Sequence, residues 1–161
     1  MELNTTDRKL SSDKLCMNTL GIHSSRYNSL VILDEHTIIY SLGGKVQKYS
    51  SSSKSVIASA FVSHSIIMSI TKYKNLLIIL SYNGVISILD LDFKLISSFP
   101  KIPGVDMIKH LAINENFSML ALNSEFYFNE ETGKDTEGAL IVYKVTEKNG
   151  YQITPLKIIA M

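Results

Sequence analysis

Four histidines, His23, His36, His64 and His110, and one cysteine, Cys16, are the side chains in this chain best suited to hold a metal. No two of the histidines stand at a ligand spacing such as i, i+4. A metal site needs three or four converging ligands, so these residues read as surface or loop positions, and no metal or cofactor is expected. Asp90 and Asp92 form the closest carboxylate pair of interest. As an acid–base couple they would need a cleft and separated pKa values. Asp90 reads instead as a turn anchor that accepts hydrogen bonds from backbone N–H groups. The many serines include no G-x-S-x-G elbow. Gly43-Gly44 lacks the lysine and the following helix of a phosphate-binding loop. Lys72 and Lys74 flank Tyr73, a small basic and aromatic patch that resembles a single-strand platform only in outline. A turn with snorkelling lysines is the simpler reading. Catalysis is therefore not expected. The remaining feature is Phe126-Tyr127-Phe128, three consecutive aromatics inside a polar stretch. Exposed aromatics often anchor interfaces, so these three are the candidate interaction residues; packing back on their own strands is the alternative.

The elements that must position these residues read as β-structure. From Ser29 onward short runs rich in Ile, Val, Leu and Tyr follow one another: SLVIL, HTIIYSL, KVQKYS, VIASAF, SIIMSIT, LLIILSY, VISILDL and KLISSF. DMIKHLAI, SMLALNS, GALIVYKV and YQITPLKII come after the KIPG turn. β-Branched and aromatic side chains suit a pleated surface. Gly43-Gly44, Asn83-Gly84, Asn114-Glu115-Asn116 and Asn149-Gly150 supply turn chemistry between runs. Pro155 lacks the N–H for a ladder bond, which predicts an edge strand or a bulge. No segment carries a sustained helical stripe with caps. The opening stretch 1–18 is polar and weakly patterned and reads as a flexible N-terminal arm.

The chain has 161 residues, 45% of them hydrophobic, enough for a core. Sixteen basic and fifteen acidic residues leave a net charge of +1. That balance gives no electrostatic case for nucleic acid, which needs clustered Lys and Arg. Apolar runs such as Leu76–Leu80 fall far short of the ~20 residues of a transmembrane helix. The opening stretch has no apolar h-region, and a single cysteine forms no internal disulfide, so a cytoplasmic location is expected.

Three hairpins repeat. GGKVQKYS, NGVISILD and EGALIVYK each have Gly, then an alternating apolar strand, then a bulky residue: Tyr49, Leu89 and Tyr143. These lie 40 and then 54 residues apart. A four-stranded propeller blade repeats every ~40–45 residues, so the second gap is one blade plus an insertion. The insertion is Ser124 to Gly138, SEFYFNEETGKDTEG, expected to be a long loop that carries the three aromatics.

The stretch Leu76 to Leu95 resembles the core of a WD repeat, S-x-D-G-x-I-x-x-W-D, with Leu89 in the Trp place and Asp90 keeping the Asp. SIIMSITKYKNLLIILS and DMIKHLAINENFSMLALNS resemble the strands that precede such hairpins, and His64 falls near the repeat's opening His. The resemblance covers about residues 30–145 and implies an all-β fold: a WD-like β-propeller segment of about three four-stranded blades, occupying residues 19–161. The chain contains no Trp, so the His–Ser–Trp–Asp network of WD repeats is incomplete. Three blades do not close a ring, because propellers have ~4–8. Three readings follow: the chain is the N-terminal part of a longer protein, its open edge is closed by a partner or a second copy, or its strands close into a different small β-architecture.

Within that class the first repeat is similar to cilia- and flagella-associated WD-repeat proteins. The matching positions are Gly21, Asn28, Leu30, Leu33, Asp34, Thr37, Ile38, Ile39, Tyr40, Gly43 or Gly44, Val46 and Tyr49. The resemblance implies a non-catalytic scaffold of the axoneme, in the cytoskeleton of a cilium or flagellum, whose partners are other proteins of a larger complex. Ile66 to Leu91 also resembles the phosphoinositide-binding propellers of autophagy. That family binds lipid through paired arginines, whereas this chain has only Arg8 and Arg26. An enzyme on a small β-barrel is the third and most distant class.

Overall fold

A computed structural model describes residues 29–101, 103–129, 133–136 and 138–160. The stretch read as an N-terminal arm, together with Arg8, Cys16, His23 and Arg26, lies outside them. The described residues contain thirteen strands and no helix. The first four are β1 (Leu30–Ile32), β2 (Thr37–Leu42), β3 (Lys45–Ser50) and β4 (Ser55–Phe61). They form one antiparallel sheet in chain order. A second antiparallel sheet follows: β5 (Ile67–Tyr73), β6 (Leu76–Ser81), β7 (Ile86–Asp90) and β8 (Leu95–Phe99). The third holds β9 (Val105–Ile113), β10 (Met119–Asn129), β11 (Lys134–Thr136), β12 (Ala139–Glu147) and β13 (Tyr151–Ala160). Its five strands run in four lanes, because β11 and β12 pair with successive stretches of the same edge of β10.

The three sheets fan about a common inner edge. β1 lies against β5 and β5 against β9, while β8 and β13 touch nearer the outside. Adjacent inner strands with diverging outer strands are the arrangement of propeller blades. The described residues thus form an all-β, incomplete β-propeller of three blades.

The middle blade is buried on both faces. Ile39 and Val46 of the first blade pack with Ile67, Ile70, Leu77, Ile79 and Leu89. The intervening Ile78, Leu80, Ile86 and Ile88 pack with Ile108, Leu120, Leu122 and Ile141 of the third. Successive strand residues face opposite ways, so a strand sandwiched between two neighbours needs apolar residues at every position. That is why β6 reads as the unbroken LLIIL, whereas β12 alternates buried and less buried positions over most of its length.

The sequence repeat has a structural signature. In every blade the register slips between the third and fourth strands, at Lys48/Tyr49, Ile88/Leu89 and Val142/Tyr143. The three aligned bulky residues therefore all sit just past a β-bulge. The extra residue on the outer strand is Ile57, Ile96 or Leu156, each exposed. Such bulges bend and twist an edge strand. Pro155, expected at an edge or a bulge, is next to one on the edge strand β13.

Turns also dock one blade on the next. The Gly44 carbonyl accepts hydrogen bonds from Val62 N (2.9 Å) and Ser63 N (3.1 Å), and the Gly43 carbonyl from Ile67 N (2.9 Å). The β2–β3 turn is thereby tied to the link between the first two blades. The β6–β7 turn also lies close against the third blade, by packing rather than by hydrogen bonds: a Cβ at Gly84 would meet Ile108 and Lys101 side chains at 3.1 Å. The Asn83-Gly84 turn differs from a two-residue turn. Gly84 N donates to the Ser81 carbonyl and Ser81 N to that of Val85, leaving a three-residue loop, Tyr82-Asn83-Gly84, in which only Gly84 has positive φ (81°). This is the type I turn with a left-handed third residue that a three-residue hairpin loop favours.

The insertion differs from expectation more plainly. Residues 124–129 continue β10 and residues 134–136 return as β11, with Tyr127 opposite Thr136 and Asn129 opposite Lys134. Most of the expected loop is a β-ribbon. Its polar composition suggested a loop, but its aromatic residues have high β propensity. Its backbone groups find partners on both sides, in β11 and in β9, where Tyr127 lies opposite Val105.

Candidate functional site

The ribbon and the two end faces of the three-blade arc are the surfaces a partner would meet. On the ribbon, Phe128 N donates to the Gly104 carbonyl (2.9 Å), which ties the start of the extension to the head of β9. The Lys109 ammonium and Glu125 carboxylate, 2.9 Å apart, bridge β9 and β10. Phe128 is 38% exposed. Phe126 and Tyr127 lie beside it on β10, opposite Asp106 and Val105, and their side chains are outside the described set.

The ribbon occupies a particular place. In the first two blades the connection between the second and third strands docks on the incoming chain of the next blade, through Gly44 and Gly84. In the third blade that same connection is the ribbon.

The first blade's face opposite its packed side carries Ile32, Ile38, Tyr49 and Val56 in one cross-strand row and Leu42, Lys45 and Phe61 in another. Ile32 is 69% and Phe61 58% exposed, with Leu42 and Val56 also exposed, while Tyr40, in the row between them on the same face, is buried. At the other end of the arc, the open face of the third blade carries exposed Leu140, Ile159 and Met119, interspersed with Asn123, His110 and Lys144. Contiguous exposed apolar side chains on one sheet face mark contact surfaces, whereas single ones do not.

The candidate chemical residues are dispersed. His36 is exposed in the β1–β2 turn, with Nδ1 3.4 Å from Ser51 Oγ. His64 is exposed and packs edge-on against Phe61, ring centroids 4.9 Å apart. His110 is exposed on β9. Among the described residues no group of three or more His, Cys, Asp or Glu side chains could hold a metal. Asp90 anchors its turn: Oδ1 accepts from Asp92 N (2.9 Å) and Lys94 N (2.8 Å). Asp92 is exposed and lies 3.9 Å from the Lys48 ammonium of the first blade. Lys48 also donates to the Leu91 carbonyl (2.7 Å) and lies over the Phe93 ring, a clamp between two blades. Asp34 likewise accepts from His36 N (2.8 Å), a bond that holds its pKa below the usual value. Ser81, in the Ser place of the WD pattern, is buried, and its hydroxyl finds no hydrogen-bond partner among the described residues.

The comparisons agree with the fold and go no further. No protein-family model matches the chain, and no curated protein matches it. A solved structure, dihydro-heme d1 dehydrogenase NirN in complex with DHE, is similar over 83% of this chain at a TM-score of 0.57 and 12% identity. It is a β-propeller. The chain spans 28% of the length of that structure. At this identity the likeness is one of architecture. No helix among the described residues is long and apolar enough to cross a membrane.

Proposed function

We propose that this chain is a non-catalytic scaffold, a protein–protein interaction module of a larger assembly. The observation that carries the reading is the apolar surface on the outer blades of the described residues: Ile32 and Phe61 are more than half exposed at one end, and Leu140 and Ile159 are exposed at the other. A propeller blade is stabilised by a neighbour on each face, and among the described residues only the middle blade has one on both. The ribbon of β10 and β11 adds a further element where a following blade's chain would dock. The sequence resemblance to cilia- and flagella-associated WD-repeat proteins gives the specific form of the proposal: a cytoplasmic, axonemal component whose partners are other proteins of that assembly.

The test is the mass in solution and the thermal unfolding of the 161-residue chain, alone and with Ile32→Ser and Phe61→Ser. The proposal expects self-association or partner-dependent folding that the two substitutions reduce. A monodisperse monomer with cooperative unfolding, unchanged by them, would refute it. Replacing Phe126, Tyr127 and Phe128 with Ser is expected to weaken partner capture while the β-sheet circular dichroism persists, and an unchanged affinity would remove the ribbon from the interface.

A further inference from the structure

One buried side chain sets the first blade's outer face apart. Tyr40 points to that face, because Ile39, the residue before it on β2, packs against the second blade. Tyr40 is nevertheless only 1% exposed. Its partners across the sheet, Leu30 on β1 and Gln47 on β3, stand in the same layer of side chains. Such neighbours shield the flanks of a ring. Its upper surface stays open until a second layer packs about 10 Å above the sheet.

The other blades show what that position needs. Tyr40, Ile79 and Leu122 are equivalent, since each pairs with the residue two before the aligned Tyr49, Leu89 or Tyr143. Ile79 and Leu122 are buried against the preceding blade. Among the described residues no blade precedes the first, yet Tyr40 is as well hidden as they are. The third blade's open face is the contrast. There Asn123 and Leu140 are exposed and Val142 is half-buried, with no buried residue on the open side of the central strands β10 and β12. On the first blade's outer face burial falls away from Tyr40, through half-buried Leu30, Ile38 and Gln47, to the exposed margin of Ile32 and Phe61. The pattern is a footprint centred on Tyr40.

The chain has one long segment placed to make that footprint. The second blade occupies the opposite face of this sheet. Outside the described residues, 102, 130–132, 137 and 161 adjoin strands of the second and third blades, whereas residues 1–28 lead directly into β1, the strand beside Tyr40. Ile22 and Leu20 are the first large aliphatic residues upstream, seven and nine positions before Ser29. Climbing to a layer 10 Å above the sheet takes about three or four extended residues, fewer than the stretch from His23 to Asn28 supplies.

We propose that the segment 1–28 docks on the first blade's outer face through Leu20 and Ile22, covering Tyr40 in the place of a preceding blade. A partner arriving at this end meets the segment together with the exposed margin. The proposal goes beyond the scaffold reading, which rests on that margin, and stands without it. The test uses the full chain with Tyr40→p-benzoylphenylalanine and, separately, Gln47→p-benzoylphenylalanine, so that one variant suffices if the other misfolds. Isotopically light and heavy chains are mixed before irradiation, and the cross-linked peptides are mapped by mass spectrometry. Cross-links to residues 1–28 within one chain are expected. Cross-links that join light to heavy chains would assign the cover to a second copy and overturn the proposal, as would cross-links confined to residues 29–160. In the otherwise natural chain, Leu20→Asp with Ile22→Asp is expected to raise the iodination rate of Tyr40 severalfold. Tyr143, buried between the second and third blades, is the control and is expected to keep its rate. An unchanged rate at Tyr40, or an equal rise at Tyr143, would refute a local cover held by those two residues.

Discussion

Gly44→Ala tests whether turns hold the blades together. The Gly44 carbonyl takes two hydrogen bonds from the link to the second blade, at 2.9 and 3.1 Å. A Cβ at Gly44 would collide with the Ser63 carbonyl oxygen and lie 3.1 Å from that of Ser65. Both obstacles are backbone and cannot rotate aside, so the turn or the link must move. Loss of two hydrogen bonds at about 1 kcal/mol each, with some loosening of the packing beneath them, gives about 2–4 kcal/mol. Gly43 is the internal control. It has the positive φ (61°), but a Cβ there meets nothing within 4 Å. Alanine at Gly43 bears only the left-handed backbone cost, about 1 kcal/mol. For a domain of this size each kcal/mol moves Tm by roughly 2–4 °C. Thermal unfolding of the full chain is therefore expected to show a fall of about 5–15 °C for Gly44→Ala and about 2–4 °C for Gly43→Ala. Conformational preference alone predicts the reverse order. If Gly43→Ala is as damaging as Gly44→Ala, the Gly44 turn does not dock the two blades.

Two further outcomes follow from single side chains. Asp90→Ala removes the acceptor for Asp92 N and Lys94 N and is expected to cost about 1–2 kcal/mol in urea unfolding, while Asp90→Asn, which keeps an acceptor oxygen, recovers most of it. Burial pushes the Tyr143 phenol up to about 12. An unfolded phenol ionises near 10 while the native one keeps its proton, so this contribution is intact below about pH 10 and is lost as pH rises toward 12. After allowance for solvent screening the loss is up to about 2 kcal/mol. Comparing denaturant midpoints at about pH 9 and 11.5 should show a shallower fall for Tyr143→Phe, and an identical fall would refute a buried, protonated Tyr143.

Local chemistry made much of this architecture legible. Asn83-Gly84, Gly43-Gly44 and Asn149-Gly150 each lie at a strand turn, because positive φ and tight reversal are properties of the residues themselves. The recurrence of Tyr49, Leu89 and Tyr143 marked the third strand of each blade, since one packing position repeats in every blade. LLIIL was legible as a strand, since its apolar β-formers suit a pleated surface.

Other features depend on contacts between distant residues. The insertion became strand because β9 and β11 offer its backbone partners, and those lie outside any local pattern. The three bulges rest on a mismatch between two strands, which neither strand displays alone. Tyr73, Phe117 and Tyr151 look like separate strand and turn residues, and only the stacking of two blades brings their rings together. Whether Ile32 and Phe61 are core or surface was likewise set by the arc. A strand's alternation assigns its residues to two faces, but which face finds a neighbour is decided by how many sheets pack in sequence around it.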